Sequence, residues 1–285
     1  MHVQVTYDRL DRLTGWRRSL TSHVTDLLVN YIYDVDNNVI SVTRSDVPVT
    51  WYRDDVTSGD DDVTDGDGHV VLRRGSQRLE WNSRSQLTRV TSSHVNATYV
   101  YVYDAVGRLT VVDGVTTSLH LFYSDIRHPE RVSHIHNSST DTVTEYLYDE
   151  RDGHLLAARV NGDVMLYVGV DPDGSPICVF DETGQTVRQM SYTPLGGLRH
   201  VTGGTHEPWY IGYRAAFHDT TADLLFFASR VLDPDNGRWL APNYQSFIDR
   251  RHYSVTTFIR NSDLYETNYL RHGDVTPPSL MLSEY

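Results

Sequence analysis

Hydrophobic and polar residues alternate in short runs along most of this chain. In the runs that end at Tyr33, Tyr103 and Tyr148, aromatic and aliphatic residues alternate, and a polar segment containing Asp, Asn or Gly follows each run. Asn and Gly accept the backbone conformations that tight turns require. The pattern therefore predicts an all-β protein built of antiparallel hairpins. The one stretch with plausible helical periodicity follows Pro242, around residues 244–253.

A Tyr-Asp pair recurs at the ends of these runs. It is followed within a few residues by Gly or Asn and then by Leu or Val, and several neighbouring copies are roughly twenty residues apart, the length of two strands and a turn. We expect the Tyr ring to pack on the sheet, the Asp to cap the turn, the Gly or Asn to bend it, and the next apolar residue to re-enter the sheet. The defining positions are Tyr7, Asp8, Tyr33, Asp34, Tyr103, Asp104, Gly107, Arg108, Tyr148 and Asp149.

Two motifs resemble those of a known family. The unit from Tyr103 to Leu109, Tyr-Asp-x-x-Gly-Arg-Leu, resembles the YD repeat of the RHS family, which includes bacterial toxin-complex shells and the teneurins. Downstream, residues 212–219 and the run Arg-x-x-Asp-Pro-x-x-Gly-Arg-Trp that ends at Trp239 are similar to the RHS-associated core. The resemblance implies a long antiparallel sheet wound into part of a spiralling β-barrel shell, with a C-terminal core segment that plugs or threads it.

Two further segments resemble the teneurin branch more than the bacterial shells. Residues 121–139 contain an aromatic pair, a Pro-x-Arg step and an Asn-x-Ser triplet in the teneurin order, and residues 258–261 resemble the teneurin strand that follows the core. We therefore expect residues 1–205 to form part of the shell wall. Residues 206–265 are expected to form the core or plug, and residues 266–285 a disordered tail.

Composition excludes several classes of function. All 25 basic residues are Arg, so the chain has no lysine for a P-loop, a Schiff base or an SxxK nucleophile. The net charge of −13 provides no basic field for a phosphate backbone, so no nucleic-acid partner is expected. Cys178 is the single cysteine, which permits no internal disulfide and is most simply a small buried residue. No cofactor is expected.

The resemblance also points to one candidate site of chemistry. In self-cleaving RHS shells the core carries an Arg and two Asp that act as an intramolecular aspartyl protease. Arg230 and Asp233 match the first part of that site, but Asn243 occupies the position of the second carboxylate. One carboxylate of such a dyad must hold a proton while the other activates water, and an amide does neither. We therefore expect no enzymatic activity.

The core motif is then expected to be structural. Arg230, Asp233 and Arg238 should form a buried and paired cluster, with Arg230 and Asp233 as an ion pair and Trp239 packed beside them, because an unpaired buried charge is costly. The chain from Leu240 onward should lie against the inside of the wall without being cut. The structural core positions are Arg230, Asp233, Pro234, Gly237, Arg238 and Trp239.

Three smaller patterns concern glycosylation and metal binding. Asn96 and Asn137 begin sequons that accept N-glycans if the chain passes through a secretory pathway. The acidic tract at residues 54–67 lacks the EF-hand spacing and is interpreted as a solvated loop and a turn rather than a calcium site. His134 and His136 lie on one strand face, but without a visible third ligand they are interpreted as exposed strand histidines, and no metal site is predicted.

The sequence thus predicts a non-catalytic structural and interaction module of a teneurin-like cell-surface protein, acting in cell–cell adhesion or signalling. By resemblance, the parent chain spans the plasma membrane once and displays this part outside the cell. The implied partner is a latrophilin-type adhesion receptor or a second copy of the same protein. The alternative is a cargo-encapsulating shell fragment of a bacterial-type RHS or toxin-complex protein.

Overall fold

The computed structural model describes residues 2–10, 12–19, 27–33, 39–45, 47–51, 62–203, 209–228, 230–235 and 237–242. Nearly all of their regular structure is antiparallel β-strand, as predicted, and these residues contain no α-helix, only a 3₁₀ turn at Tyr213–Ala215. Accordingly, no helix in the described ranges is long and apolar enough to cross a membrane. Asp34, Asn243, the predicted helical stretch at 244–253 and the predicted tail at 266–285 lie outside the described residues.

The strands form three sheets in which each strand pairs with its neighbours in the chain. The first sheet contains β1 (His2–Tyr7), β2 (Leu13–Ser19), β3 (Leu27–Tyr33), β4 (Val39–Arg44) and β5 (Val47–Trp51). The second sheet, called the wall, contains fourteen strands: β6 (Val63–Thr64), β7 (Val70–Arg73), β8 (Gln77–Trp81), β9 (Leu87–Ser92), β10 (Ala97–Tyr103), β11 (Leu109–Asp113), β12 (Ser118–Phe122), β13 (His134–Asn137), β14 (Thr142–Tyr148), β15 (Leu155–Val160), β16 (Val164–Val170), β17 (Pro176–Phe180), β18 (Thr186–Tyr192) and β19 (Leu198–Gly203). The third sheet contains β20 (Phe217–Asp219), β21 (Leu224–Phe226), β22 (Val231–Asp233) and β23 (Arg238–Trp239).

The turns are built by the Asp or Asn that ends each run. Between β10 and β11, Asp104 Oδ1 accepts hydrogen bonds from the backbone N–H groups of Val106 and Arg108 at 3.1 and 2.8 Å. Gly107 lies between them with a φ of +97°, a conformation that glycine adopts without strain. The same capping pattern recurs at Asp8, Asp65, Asn82, Asp171 and Asp181. Each hairpin is therefore set by residues within four positions of one another.

The tyrosine of the repeat connects one hairpin to the preceding one. Tyr103 Oη donates to the carbonyl oxygen of Leu87 at 2.9 Å, and Tyr148 Oη donates to that of Val132 at 3.0 Å. Burial raises the pKa of both phenols, so each remains a neutral donor. Equivalent bonds run from Tyr33 to Leu13 and from Tyr123 to Leu109. The repeat thus links successive turns through a hydrogen bond, a role that ring packing alone did not suggest.

The wall has an inner face that is buried and an outer face that is not. Along β10, the side chains of Ala97, Tyr99 and Tyr101 are buried, whereas those of Thr98 and Val102 are exposed. This alternation follows from the two-residue period of a strand. Among the described residues the sheet does not close on itself, since β6 and β19 are its edge strands.

The core segment, defined as residues 209–242, lies between the first sheet and the wall. Its residues Tyr210, Ile211 and Leu240 belong to one hydrophobic cluster with inner-face residues of the wall. Its residues Leu232 and Trp239 belong to a second cluster with side chains of the first sheet, Leu13, Trp16, Val29 and Tyr31. The wall and the first sheet therefore bury their apolar faces on the same short segment.

Candidate functional site: the Asp233 cluster between wall and core

The core segment makes polar contacts with the inner face of the wall. Tyr101 Oη on β10 donates to the carboxylate of Asp219 at 2.8 Å, and both residues are buried. At the N-terminal end of the wall, the backbone N–H of Val70 donates to the carbonyl oxygen of Leu240 at 2.9 Å. These bonds fix the path of the core segment along the wall.

Asp233 is the centre of the polar contacts between wall and core. It ends β22, has 0% exposure, and its Oδ2 accepts from Arg73 Nε at 2.7 Å while its Oδ1 accepts from Arg74 Nη2 at 2.7 Å. Both arginines belong to the wall, about 160 residues earlier in the chain. Each carboxylate oxygen thus receives a charged donor, which makes this a two-sided, charge-assisted contact.

Arg73 is as buried as its partner, with 0% exposure. Its Nη1 donates to Gln77 Oε1 at 2.7 Å and to the carbonyl oxygen of Ala222 at 2.9 Å, and its Nη2 donates to the carbonyl oxygen of Asp223 at 3.0 Å. A guanidinium can be buried only if its N–H groups find acceptors. Gln77 of the wall supplies one acceptor, and the core segment supplies the two carbonyl oxygens, so Arg73 is paired by both parts of the chain.

A second carboxylate lies beside the first. Asp62 Oδ1 accepts from the backbone N–H of Arg74 at 3.0 Å, and Asp62 Oδ2 lies 3.5 Å from Arg238 Nη1. Burial and the neighbouring negative charge of Asp233 raise the pKa of Asp62, although Arg238 opposes this. We call Asp62, Arg73, Arg74, Asp233 and Arg238 the Asp233 cluster.

The surroundings of Asp233 favour its ionised form at neutral pH. Burial alone would raise its pKa, but the charges and hydrogen bonds of Arg73 and Arg74 outweigh burial and hold the pKa of Asp233 well below its usual range. A carboxylate that shares a proton with a partner, as an aspartyl dyad requires, has the opposite character. In the described part of the site, Asp233 is thus an ionised carboxylate held between two arginine side chains.

The predicted arrangement of the core motif needs correction. Among the described side chains, Arg73 and Arg74 pair with the Asp233 carboxylate and Arg230 does not. Asp233 Oδ1 also accepts from the backbone N–H of Asp235 at 3.2 Å, and Arg238 extends to Asp62. The Arg230 guanidinium instead lies over the Trp239 ring, 4.3 Å from its centroid, and donates from Nη2 to the carbonyl oxygen of Ala241 at 3.0 Å. The burial of Trp239, at 2% exposure, agrees with the packing that the sequence suggested.

Sequence reasoning missed the wall side of the site. Arg73 and Arg74 form an adjacent basic pair after an acidic tract, which is a weak signal because Arg17 and Arg18 form another pair. Asp62 was assigned to a solvated loop, yet its side chain is 2% exposed. Only the fold brings these residues next to Asp233.

The two sequons differ in accessibility. Asn96 is exposed in the turn between β9 and β10, with a φ of +49°. Asn137 is 4% exposed, and its Nδ2 donates to Tyr210 Oη of the core segment at 3.1 Å. A glycan attaches through this same nitrogen, so the fold is incompatible with the predicted glycosylation of Asn137.

The remaining candidate residues are the cysteine, the two strand histidines and the acidic tract. Cys178 on β17 is half-buried, less enclosed than predicted. His134 and His136 are both half-buried on the outer face of β13. Asp65, in the former calcium candidate, caps the turn before β7 and pairs with His69 Nδ1 at 3.0 Å.

Comparison with known proteins gives one consistent family. The chain is 28% identical over 246 residues to teneurin-1 of Gallus gallus, and this match covers 84% of the chain and 9% of the relative. It is 26% identical over 273 residues to teneurin-3 of Danio rerio, with 86% and 10% covered, and 29% identical over 221 residues to teneurin-1 of Homo sapiens, with 75% and 8% covered. The chain thus spans about a tenth of the length of these curated relatives.

Solved structures with the same fold come from bacterial toxins. The crystal structure of TcdB2-TccC3 matches with a TM-score of 0.65 at 18% identity, covering 89% of this chain and 15% of that one. The Tc holotoxin pore of Photorhabdus luminescens matches with a TM-score of 0.67 at 18% identity, covering 89% and 14%. At 18% sequence identity, the similarity to these toxin structures shows the fold alone. The family model described as Teneurin YD-shell, however, matches residues 1–269. The chain therefore belongs to the teneurin YD-shell family.

Proposed function

We propose that this chain is a non-catalytic structural and interaction module of a teneurin-like cell-surface protein, acting in cell–cell adhesion or signalling. The proposal rests on which faces of the sheets are already buried within the chain. The wall and the first sheet bury their apolar faces on the core segment, so the outer face and the turns are the surfaces left for partners. Membership of the teneurin YD-shell family supports the same role.

The absence of catalysis in this proposal rests on the state of Asp233. Its carboxylate is enclosed by two arginines and has no proton to share at neutral pH. The deepest charged group of the core is thus occupied in anchoring the core to the wall. Because the chain belongs to the teneurin YD-shell family, we also propose that the parent protein is anchored in the plasma membrane and that this segment lies outside the cell.

The proposed partner is a latrophilin-type adhesion receptor or a second copy of the same protein. The test displays the 285-residue chain on non-adherent cells through a single membrane anchor. These cells are mixed either with cells that display the same chain or with cells that display the receptor ectodomain. Aggregation in the first mixture indicates homophilic contact, and aggregation in the second indicates the receptor.

Cells that display only the anchor serve as the control. Aggregation equal to this control in both mixtures, at equal surface staining of the displayed chain, would contradict the proposed adhesive role. Display of the Asp233→Asn variant distinguishes an effect of the fold on aggregation from an effect of the outer surface. This substitution alters a buried contact and leaves every outer residue unchanged.

The fold likeness to TcdB2-TccC3 supports a second candidate, a shell fragment that encloses cargo. A shell of this kind protects what lies inside it, so a peptide fused after residue 285 would resist protease. Digestion of such a fusion compared with the free peptide tests the candidate. Equal rates of digestion would remove it.

A further inference from the structure

A cavity of about 140 Å³ lies where turns of the wall meet the core segment, and we call it the Arg131 cavity. Its wall side includes Tyr123, Arg131 and Tyr148, and its core side includes Phe226 and Phe227. Aromatic side chains therefore line it from both parts of the chain. An apolar cavity of about 150 Å³ is large enough to bind benzene, so this one has room for a ligand with one ring.

The described residues leave the Arg131 guanidinium without a hydrogen-bond acceptor. Its side chain is 18% exposed, and its Nε lies 3.9 Å from Glu130 Oε1, a distance that allows an ion pair but no hydrogen bond. The guanidinium also lies over the Tyr148 ring, 5.8 Å from its centroid, and against Gly153, where a Cβ would overlap Nη2. Because an enclosed guanidinium needs acceptors for its N–H groups, they must come from solvent or from a ligand.

Two other arginines that line the described part of the cavity are already bonded. Arg108 Nε donates to Asp104 Oδ2 at 2.7 Å. Arg214 Nη2 lies 3.2 Å from Asp173 Oδ1. Each of these two guanidinium groups thus has a close carboxylate partner within the chain, whereas the N–H groups of Arg131 remain available to a further anion.

We propose that the Arg131 cavity binds a small carboxylic acid with an apolar body. Its carboxylate is held by Arg131, because a guanidinium and a carboxylate bond through two parallel N–H···O contacts. Its apolar part packs between the aromatic side chains of the wall and the core. Glu130, Asp152 and Asp173 also line the cavity, and they repel a multiply charged anion such as phosphate more than a carboxylate. The site therefore favours a ligand with one negative charge.

Arg127 provides a matched control for Arg131. It lies in the same loop between β12 and β13, but its side chain is 71% exposed and its Nη2 donates to Glu150 Oε1 at 3.0 Å. Arg127 lines a neighbouring cavity of about 240 Å³, which Arg131 also borders, and it does not line the Arg131 cavity. Substitution of Arg127 therefore distinguishes the two cavities and also tests a general effect of positive charge in the loop.

The test titrates the 285-residue chain with sodium benzoate and follows the backbone amide signals by NMR. Benzoate should bind saturably with a Kd of about 1 mM. Benzamide has the same shape without the charge, and it should bind at least about tenfold more weakly. Inorganic phosphate has the charge without the apolar ring, and it should likewise bind at least about tenfold more weakly.

Two substitutions of Arg131 test its role directly. Arg131→Gln removes the charged donors and should weaken benzoate binding by about tenfold or more. Arg131→Lys keeps the charge but not the planar pair of donors, and it should weaken binding by about three- to tenfold. Arg127→Gln should leave the affinity within about twofold of the wild type, because its exposed ion pair contributes little. Circular dichroism shows whether each variant retains the fold.

Three outcomes would overturn the proposal. Benzoate that shows no saturation by about 50 mM would mean that the cavity holds only water. Equal binding of benzamide and benzoate to the wild type would remove the role of the carboxylate, and this comparison requires no variant to fold. A loss of affinity in Arg127→Gln with none in a folded Arg131→Gln would place the ligand in the neighbouring cavity instead.

Discussion

At the scale of single residues, Asp233 shows how burial changes the meaning of a motif. The motif resembles half of a cleavage site, but Asp233 is 0% exposed and lies between two arginines that bind it to the wall. Asp62, close by, has a raised pKa because burial and Asp233 both disfavour its charge. The pKa values of two carboxylates in one cluster are therefore shifted in opposite directions.

This contrast predicts different costs for two similar substitutions. Asp233→Asn removes the charge that compensates the buried Arg73 and should lower the free energy of unfolding by about 3–5 kcal/mol. Asp62→Asn keeps an acceptor for the Arg74 N–H and removes a charge that the site disfavours, so it should cost less than about 1.5 kcal/mol. Urea denaturation of both variants measures the difference. Equal losses would show that Asp233 does not anchor the core.

The pKa shifts also predict a dependence of stability on pH. The folded-state pKa of Asp233 is depressed, so its stabilising contribution is present above the unfolded value near 4 and is lost as pH falls below it. The raised pKa of Asp62 has the opposite sign, because protonation of Asp62 favours the folded state as pH falls.

Thermal unfolding between pH 7 and pH 3 tests these signs. The wild-type Tm should fall below about pH 4, and Asp62→Asn should fall more steeply because it lacks the opposing group. Tm values of the wild type that rise from pH 5 to pH 3 would contradict the assignment.

At the scale of the hairpin, the structure adds a contact to the expected roles of the repeat. The Asp caps its own turn, but the Tyr hydroxyl bonds to the backbone that follows the preceding turn, as from Tyr123 to Leu109 at 2.7 Å. The Arg of the repeat completes the link, since the Arg108 guanidinium lies 4.7 Å from the centroid of the Tyr123 ring. Consecutive repeats thus share a bonded edge, as neighbouring units of a repeat protein do.

Removal of one hydroxyl tests this link. Tyr103→Phe leaves the carbonyl oxygen of Leu87 without its donor and should lower the free energy of unfolding by about 1–2 kcal/mol. Tyr167→Phe is the matched control, because Tyr167 is 49% exposed on the outer face and should change stability by less than about 0.5 kcal/mol. Equal effects of the two substitutions would mean that the hydroxyl bond does not stabilise the wall.

At the scale of the whole molecule, the core segment packs against both the first sheet and the wall. Its four-stranded sheet contributes Leu224 and Phe226 to the cluster with the wall, and Leu225 and Leu232 to the cluster with the first sheet. The alternation of a strand explains this division, because successive residues point to opposite faces. The core segment therefore contributes side chains to both hydrophobic clusters.

We predict that the chain is not cleaved within or after the core segment. Because Asp233 is held ionised, the purified protein should have the full mass of 32.6 kDa. Intact-mass spectrometry after expression and again after prolonged incubation measures this. A product severed shortly after Asn243 would contradict both the proposed anchoring role and the interpretation of the amide as inactive.

The sequence by itself determined the features that depend on neighbours in the chain. Hairpins, capping Asp residues and the glycine at the turn follow from side chains within four positions of one another, as at Asp104 and Gly107, and the Tyr-Asp pattern was sufficient to predict an all-β repeat fold. Only the tertiary structure decided which distant residues meet. Asp233 is bonded to Arg73 across 160 positions, and Asn137 is buried against Tyr210 across 73. No local pattern encodes such pairs, because they arise when the wall and the core segment bury their apolar faces together and each buried polar group must then find a partner at that interface.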